Sequence, residues 1–274
     1  MARLAEVAAT TDAAAAARAR YERQGCLFPL PALDAAEVER WRAEVEALEA
    51  RLGGRPRPMG LLHLFFPWAY ELALHPRVVD AAELALGPEL VVCSTLVICK
   101  YPHDPGFVAW HQDGTYSGLH ATPTTSAWIA LSPSNEANGC MRVVPGSHRQ
   151  GILPHQNTYA PRNLLGHGEE IQVEVDEAQA LALTLAPGEL SLHHNNIIHG
   201  SQPSRSDVKR IGFIVRFATP ALASSELPVM RARGSADCSH LDLLDGPPPD
   251  EPAAFARWRD FVTDRAERQR RAQA

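Results

Sequence analysis

The residue types most capable of chemistry stand in one tripeptide and at one distant position. His111 and Asp113 flank Gln112, and His199 follows much later in the chain. In a β-strand, residues i and i+2 point to the same face, so His111 and Asp113 can reach one metal ion while Gln112 points away. Two imidazoles and one carboxylate leave one side of an octahedral ion open, which is the arrangement of non-haem Fe(II) oxygenases. The set therefore predicts a metal site to which substrates have access.

Arg210 adds a group that can hold an organic acid. In the stretch 210–219, Arg210, Gly212, Ile214 and Arg216 alternate with apolar residues and share one face of a predicted strand. A guanidinium is a permanently charged fork that matches a carboxylate. We interpret this face as the wall of an interior that holds an anion. A solvated outer face with two surface arginines is the alternative.

The elements around the histidines favour a site at strand ends. The segment 107–116 is aromatic and β-branched before Gly114, which predicts a strand that opens into a loop. The segment 187–201 begins with a Pro-Gly turn and predicts a strand that ends at His199. Position alone leaves His193 and His194 as rivals of His199. For both we favour a structural role, with one facing the core and bonded to a backbone carbonyl and the other facing water.

Several segments, taken in order, resemble the phytanoyl-CoA dioxygenase family of Fe(II)- and 2-oxoglutarate-dependent oxygenases. The similar stretch runs from about residue 18 to about residue 220. The matching pieces are 21–29, Trp110-His111-Gln112-Asp113, 138–148 with its Pro145-Gly146-Ser147-His148 loop, 192–201, and Arg210.

This resemblance implies an iron centre. His111, Asp113 and His199 would be the iron ligands, and they would also be the catalytic residues. His148 is interpreted as structural. Halogenating relatives have a small residue in place of the carboxylate, so the presence of Asp113 favours hydroxylation. Neutral imidazoles are required, so iron binding is expected to weaken as the pH falls through the histidine range.

The resemblance also implies a binding site for a co-substrate. Arg210 would bind the far carboxylate of 2-oxoglutarate, and Ser201 would assist through its hydroxyl. Trp128 falls where the family often has an aromatic residue that lines the co-substrate pocket. The implied cofactors are Fe(II), 2-oxoglutarate as co-substrate, and dioxygen.

Composition and charge bear on the class of partner and on the compartment. The 274 residues carry a formal net charge of −6, so no nucleic-acid partner is expected. No apolar run is long enough to predict a membrane span. The five cysteines are scattered, which predicts free thiols in a reducing cytoplasm. The Ala- and Arg-rich opening contains Glu6 and Asp12, so we predict a helix capped near Thr11 or Asp12 rather than a transit peptide.

The order of predicted elements favours a mainly β fold with flanking helices, either a sandwich or a jelly roll. Of these two we expect the jelly roll, a cupin-like double-stranded β-helix. Helices are predicted over 1–24, 34–52 with Asp34 as the cap, 68–74 and 78–86. Short strands with Pro and Gly punctuation follow from 89 to about 219. We expect a single domain over 1–274, with a helical N-terminal region over residues 1–88, a jelly-roll core of about 89–220 and an extension 221–274.

Two segments outside the matched motifs each allow two interpretations. The stretch 151–170 lacks a clear period and is either a substrate lid or an exposed loop. Phe255, Trp258 and Phe261 recur at three-residue spacing in a predicted C-terminal helix. That stripe predicts a face that docks on the domain or a dimer contact, and the oligomeric state stays open.

Three functions compete at this point. The first is hydroxylation of an unactivated C–H bond of a small molecule, in natural-product or secondary metabolism. The second is another two-His-one-carboxylate enzyme, such as a zinc hydrolase or an isomerase. The third is a non-catalytic jelly-roll binder. The complete set with Arg210 favours the first. The substrate stays unidentified, either free or tethered to a carrier protein or coenzyme A, and pocket candidates are Leu96, Ile98, Tyr101, His103, Tyr116, Trp128 and Tyr159.

Overall fold

A computed structural model of the chain describes residues 2–56, 58–115, 122–166, 168–222, 225 and 227–272. Four helices precede most of the strands and one follows them. The helices are α1 (Ala2–Gln24), α2 (Ala35–Arg51), α3 (Pro67–Ala73), α4 (Pro76–Leu86) and α5 (Ala254–Ala272). The strands are β1 (Cys26–Pro31), β2 (Met59–Gly60), β3 (Leu90–Lys100), β4 (Val108–His111), β5 (Thr124–Ala130), β6 (Met141–Val143), β7 (His155–Asn157), β8 (Glu169–Ile171), β9 (Leu181–Ala182), β10 (Glu189–His194), β11 (His199–Ser201), β12 (Arg210–Ala218) and β13 (Met230–Arg233).

The strands form two main antiparallel sheets. The large sheet has seven strands in the order β1-β10-β5-β12-β3-β13, with β2 also paired to β3. The small sheet has the order β4-β11-β6-β9, and β7 and β8 form a separate hairpin. Apolar side chains from both sheets share one buried cluster, including Trp128 and Ile214 of the large sheet and Met141 and Val143 of the small one. Two facing sheets with helices outside them confirm the predicted jelly roll.

The helices cover the outer face of the large sheet. Strand alternation gives β12 one face of Ile211, Phe213, Val215 and Phe217, and all four are buried in the largest apolar cluster together with side chains of α2, α3 and α4. The opposite face of β12 is thereby turned toward the space between the sheets.

Helix α2 begins where the sequence predicts. Asp34 accepts a hydrogen bond from the Glu37 amide at 2.9 Å, and the Glu37 side chain accepts one from the Asp34 amide at 2.8 Å. This reciprocal pair is a capping box, which satisfies two amides that the first helical turn leaves without partners. The predicted cap near Thr11 or Asp12 is wrong, because α1 runs through both positions from Ala2 to Gln24. Alanines lie on both sides of them, and their high helix propensity carries the helix through the two weaker formers.

The aromatic stripe of α5 docks on the domain, as the first of the two interpretations predicts. Trp258 is buried, and its indole N–H donates to the Gly60 carbonyl at 2.9 Å. The Phe261 ring lies 5.3 Å from that of Phe65, and the Trp258 ring lies 6.0 Å from that of Phe66. All five cysteines are free thiols. No helix among the described residues is long and apolar enough to cross a bilayer.

Candidate metal centre and co-substrate cavity

Two histidines are brought together by direct strand pairing. His111 is the last residue of β4 and His199 is the first residue of β11, and the two are register partners in the small sheet. Their ring centroids are 4.1 Å apart, and both side chains are buried. Antiparallel pairing thus places both imidazoles on one face at one end of the sheet.

Backbone carbonyls fix the orientation and the tautomer of both rings. The Nδ1 atom of His111 lies 2.9 Å from the Ala109 carbonyl oxygen and 3.1 Å from that of His199. The Nδ1 atom of His199 lies 3.0 Å from the Ile197 carbonyl oxygen. A carbonyl can only accept, so each Nδ1 carries the proton and each Nε2 keeps its lone pair for a metal ion. Burial and the neighbouring His111 hold the pKa of His199 well below its ordinary value, which favours the neutral, metal-binding form.

Asp113 follows the strand end and turns its two oxygens to different groups. It begins a short 3-10 turn, so His111 and Asp113 are not both within the strand as predicted, yet both face the site. Its Oδ1 lies 3.6 Å from His111 Nε2, whereas its Oδ2 lies 2.8 Å from an Arg216 nitrogen and accepts from the Ser126 hydroxyl at 3.2 Å. Burial would raise the pKa of the Asp113 carboxyl, but Arg216 and the neighbouring histidines hold it well below its ordinary value. The carboxyl is therefore an anion.

Gln112 points away from the site, as strand alternation predicts. Its side-chain amide donates to the Gly151 and Asn196 carbonyls at 2.8 and 2.7 Å and accepts from the Leu153 amide at 2.8 Å. Gln112 thus connects residues 111–115, which we call the metal-side loop, to two other segments. These hydrogen bonds hold the neighbouring His111 and Asp113 in position.

The donor atoms of His111, Asp113 and His199 fit one metal ion. One ligand atom from each residue lies within 4.8 Å of the other two, and all three side chains are buried. Two imidazole nitrogens and one carboxylate oxygen suit a divalent transition ion. Each ligand is also oriented by a hydrogen bond or ion pair that it makes through its other polar atom.

A cavity of about 540 Å³ opens beside these residues, between the two sheets. His111, Asp113 and His199 line it together with Ser201, Arg210 and Arg216. The rest of the wall is mostly apolar, with Leu96, Ile98, Val108, Trp128, Met141, Leu165 and Ile214. The face of β12 that carries Arg210, Ile214 and Arg216 is therefore the inner face, as the sequence predicts.

Arg210 is a buried cation without an anionic partner among the residues that the structure describes. It is 2% exposed, it donates to the Gly139 carbonyl, and its guanidinium lies 5.3 Å from the Trp128 ring. Its Nε has no hydrogen-bond partner there. Burial lowers the pKa of Arg210 to about 10, so the group stays charged at neutral pH. A charge held in the interior this way is suited to an incoming carboxylate.

Gly212 makes room for the Trp128 indole. A Cβ at position 212 would lie 2.1 Å from an indole carbon of Trp128, so any other residue must displace that ring. We expect Gly212→Ala to cost about 1–3 kcal/mol of unfolding free energy through overpacking. Because the displaced Trp128 ring lines the cavity, we also expect Gly212→Ala to bind a ligand there more weakly. Thermal unfolding and ligand titration measure the two effects, with Gly246→Ala as the matched control because a Cβ there meets nothing within 4 Å. Equal stability of the two variants would contradict this packing.

Lys100 lies behind Ser201 and was not among the residues singled out from the sequence. Its Nζ donates to the Ser201 hydroxyl oxygen at 2.7 Å and also to the Gln202 carbonyl. Ser201 lies far from Lys100 in the sequence, so no local motif predicts their contact. The available signal is composition: only two of the 26 basic residues are lysines, Lys100 and Lys209.

The interpretation of the two neighbouring histidines needs a correction. The predicted strand over 187–199 is two strands, β10 and β11, separated by a turn at Asn195-Asn196, because asparagine favours turns. His193 is buried beside the metal site rather than bonded to a carbonyl: its Nε2 lies 3.6 Å from Asp113 Oδ2, and its Nδ1 has no hydrogen-bond partner among the described residues. His194 is half-buried against His148 instead of facing water. His148 is structural, as predicted, with its Nε2 on the Glu22 carbonyl at 3.1 Å.

The other pocket candidates divide into two groups. Leu96, Ile98 and Trp128 line the cavity. Tyr101 instead lies in the apolar cluster that the helices share with the large sheet, and it donates to the buried Glu49 of α2. His103 pairs with exposed Asp207, and Tyr159 is 58% exposed. Tyr116 lies outside the described residues.

Among its residues that the structure describes, the segment 151–170 contributes one to the cavity. It contains β7 and leads into β8, and its Leu165 lines the wall. His155 of this segment accepts from the Gln112 amide at 3.1 Å. Both the hairpin and this contact attach the segment to the metal-side loop, and the predicted lid stays a prediction.

A jelly roll that encloses a His-Asp-His cluster and a buried arginine in one cavity defines a class, the non-haem Fe(II)- and 2-oxoglutarate-dependent oxygenases. A model of the phytanoyl-CoA dioxygenase family matches residues 65–212. The chain belongs to the phytanoyl-CoA dioxygenase family.

Individual relatives agree with this assignment. A probable alpha-ketoglutarate-dependent hypophosphite dioxygenase of Stutzerimonas stutzeri is 28% identical over 58% of this chain and 57% of its own length. The phytanoyl-CoA dioxygenase domain-containing protein 1 of Mus musculus is 31% identical over 58% of this chain and 56% of its own. The chain thus spans a little more than half the length of these curated relatives.

Solved structures extend the likeness over nearly the whole fold. The apo structure of the non-heme monooxygenase ThoJ superposes with a TM-score of 0.76 at 31% identity, covering 94% of this chain and 99% of that one. CytC3, solved with Fe(II) and alpha-ketoglutarate, shares the fold with a TM-score of 0.61 at 20% identity, over 84% of this chain and 93% of that one.

Proposed function

We propose that this protein is an Fe(II)- and 2-oxoglutarate-dependent dioxygenase that hydroxylates an unactivated C–H bond of a small molecule. The observation that supports it most is the coincidence of two features in one cavity. Three ligand atoms lie within 4.8 Å of one another, and the buried Arg210, which has no carboxylate partner among the described residues, lines the same wall. A zinc hydrolase has no use for such an arginine, and a simple binder has no use for the ligand set.

In this proposal His111, Asp113 and His199 hold the iron. When bound, iron and 2-oxoglutarate supply the oxidising chemistry, in which dioxygen is consumed and 2-oxoglutarate is decarboxylated to succinate. The carbonyl bonds at Nδ1 orient both imidazoles and leave each Nε2 facing the site, and Arg216 and Ser126 hold Asp113 Oδ2 so that Oδ1 faces the imidazoles. The chain thereby fixes the geometry of the centre.

The remaining wall residues receive the co-substrate and the substrate. Arg210 binds the far carboxylate of 2-oxoglutarate as a fork, Ser201 donates its hydroxyl to the same carboxylate, and Trp128 closes that end of the cavity. The apolar side chains exclude water and contact a hydrocarbon surface, as oxidation of a C–H bond requires. The cavity lies between the sheets beside the proposed iron ligands, and we propose as its occupant a small molecule of natural-product or secondary metabolism.

The first experiment is anaerobic reconstitution with Fe(II) and 2-oxoglutarate, followed by visible spectroscopy. We expect the weak charge-transfer band of a chelated 2-oxo acid, and its loss in His199→Ala but not in the matched control His103→Ala, since His103 is exposed on the surface. Appearance of the band would justify a screen for the substrate, in which succinate release is measured for each candidate. Bound iron without the band would favour another metal chemistry, and no iron binding would leave a jelly-roll binder.

A further inference from the structure

A second basic group stands beside Arg210 in the interior. Lys100 is the last residue of β3 and the register partner of Arg210 on β12. Its side chain is completely buried, and lysine is almost never fully buried unless its amine has a partner. It shares a strand face with Leu96 and Ile98, which line the cavity, but it stands behind Ser201 rather than on the wall itself.

The hydrogen bonds of Lys100 determine what the Ser201 hydroxyl can do. The Lys100 amine donates to Ser201 Oγ at 2.7 Å and to the Gln202 carbonyl. An ammonium has only donors, so a Ser201 oxygen that accepts from it must direct its own proton elsewhere. Ser201 lines the cavity, and a carboxylate there is an acceptor for that proton. An uncharged amine places no such constraint on the hydroxyl, because it can also accept.

The charge of Lys100 depends on what surrounds it. The charged and titratable groups that face it are Arg210 from β12, Asp104 from the loop after β3, and Cys140 before β6. Burial and then Arg210 lower the pKa of Lys100 to about 6, against smaller opposing effects of Asp104 and Cys140. In the empty cavity the amine is therefore mostly uncharged above pH 7. Gly139 preserves this arrangement, since a Cβ there would lie 3.0 Å from Lys100 Nζ.

We propose that Lys100 is a positioning residue that takes up a proton when the far carboxylate of 2-oxoglutarate binds, and so aims the Ser201 hydroxyl at that carboxylate. The inference rests on the proposed function, in which Arg210 binds the same group. Two adjacent buried cations repel each other, and an incoming carboxylate removes that penalty and favours the charged amine. Because the bound state holds one proton more than the free state, affinity falls as the pH rises above the pKa of the free amine.

The choice of lysine supports this role. The chain uses arginine at nearly all of its basic positions, and an arginine keeps its charge at any pH relevant to the protein. A lysine can lose its proton in the empty site and regain it with the ligand. Lys209, the other lysine, is paired with Glu49 and does not contact the Ser201 hydroxyl.

The test is calorimetry of 2-oxoglutarate binding to the Mn(II)-loaded full chain in two buffers of different ionisation enthalpy. At pH 7.5 we expect uptake of close to one proton per ligand bound. Between pH 6.5 and 8.5 the Kd should rise at least about tenfold, since uptake of one proton corresponds to tenfold per pH unit. The wild-type protein alone decides whether a proton is taken up on binding, so this result does not depend on the folding of any variant.

Variants separate Lys100 from other proton-binding groups. In Lys100→Met the uptake should vanish and the Kd should become nearly independent of pH, whereas the matched control Lys209→Met should keep the wild-type profile. Lys100→Arg should also lose the pH dependence. Proton uptake that persists in Lys100→Met, or none in wild type, would overturn the role of Lys100 while the proposed function stands. Failure of wild type to bind 2-oxoglutarate, or binding as tight in Arg210→Ala, would sink the proposed function as well.

Discussion

Replacement of Asp113 by alanine should lower 2-oxoglutarate-dependent oxidation by at least about 100-fold. Loss of a residue that merely orients a ligand costs 10- to 100-fold in metal affinity or activity, so loss of the only anionic ligand should cost the upper end of that range or more. Asp113→Asn should behave similarly, because an amide oxygen keeps the shape of the carboxylate but not its charge. Succinate release under saturating Fe(II) and 2-oxoglutarate measures the effect.

Interpretation of this variant requires a control for folding. Asp113 is also the ion-pair partner of Arg216 at 2.8 Å, so its removal leaves a partly buried guanidinium without that carboxylate. Breaking a buried pair costs about 3–5 kcal/mol of stability. Thermal unfolding of the metal-free proteins distinguishes this cost from loss of the ligand, and Asp207→Ala, at an almost fully exposed aspartate, is the matched control. Undiminished turnover by folded Asp113→Ala would refute the ligand assignment.

Arg210→Ala should raise the concentration of 2-oxoglutarate required for half-maximal turnover by about 30-fold or more. Truncation of one partner of a buried, hydrogen-bonded charge pair costs about 2–5 kcal/mol, and the lower value already corresponds to that factor. The kcat at saturating 2-oxoglutarate should change much less, because Arg210 contacts the far carboxylate and not the reacting atoms. Initial rates over a range of 2-oxoglutarate concentrations measure both quantities.

A conservative variant and a matched one sharpen this result. Arg210→Lys keeps a charge but loses the planar fork, so its requirement for 2-oxoglutarate should lie between those of wild type and Arg210→Ala. Arg142→Ala should leave the requirement unchanged, because Arg142 pairs with Glu177 on the other side of the small sheet. An unchanged KM for 2-oxoglutarate in Arg210→Ala would place the co-substrate elsewhere in the cavity.

The features of the site that follow local rules could be predicted from the sequence. Strand alternation placed Arg210, Ile214 and Arg216 on one inner face, and the break at Gly114 marked the strand end that carries His111 and Asp113. Many short strands with turn residues between them predict a sandwich or a jelly roll. The capped start of α2 required only Asp34 and the residue three positions later.

The features of the site that depend on contacts between distant parts of the chain could not be predicted from the sequence. Lys100 lies beside Arg210 only because β3 and β12 pair, and it contacts Ser201 only because the small sheet faces the large one. Nothing near Lys100 in the chain encodes either contact. His193 was interpreted as structural because two adjacent histidines in one strand look alike until the sheets are assembled. The turn at Asn195-Asn196 takes the chain from β10 of the large sheet to β11 of the small sheet, within a run of residues that is otherwise strand-like.

The division of the cavity between two sheets has a consequence for how the protein can evolve. The three proposed iron ligands belong to the small sheet or to its strand ends, whereas Leu96, Ile98 and Ile214 of the apolar wall belong to the large sheet. A substitution at one of these wall positions alters the surface offered to a substrate without disturbing the pairing of β4 with β11. Descendants of such a chain can therefore acquire new substrates by single changes on β3 and β12 and inherit the oxidising centre intact.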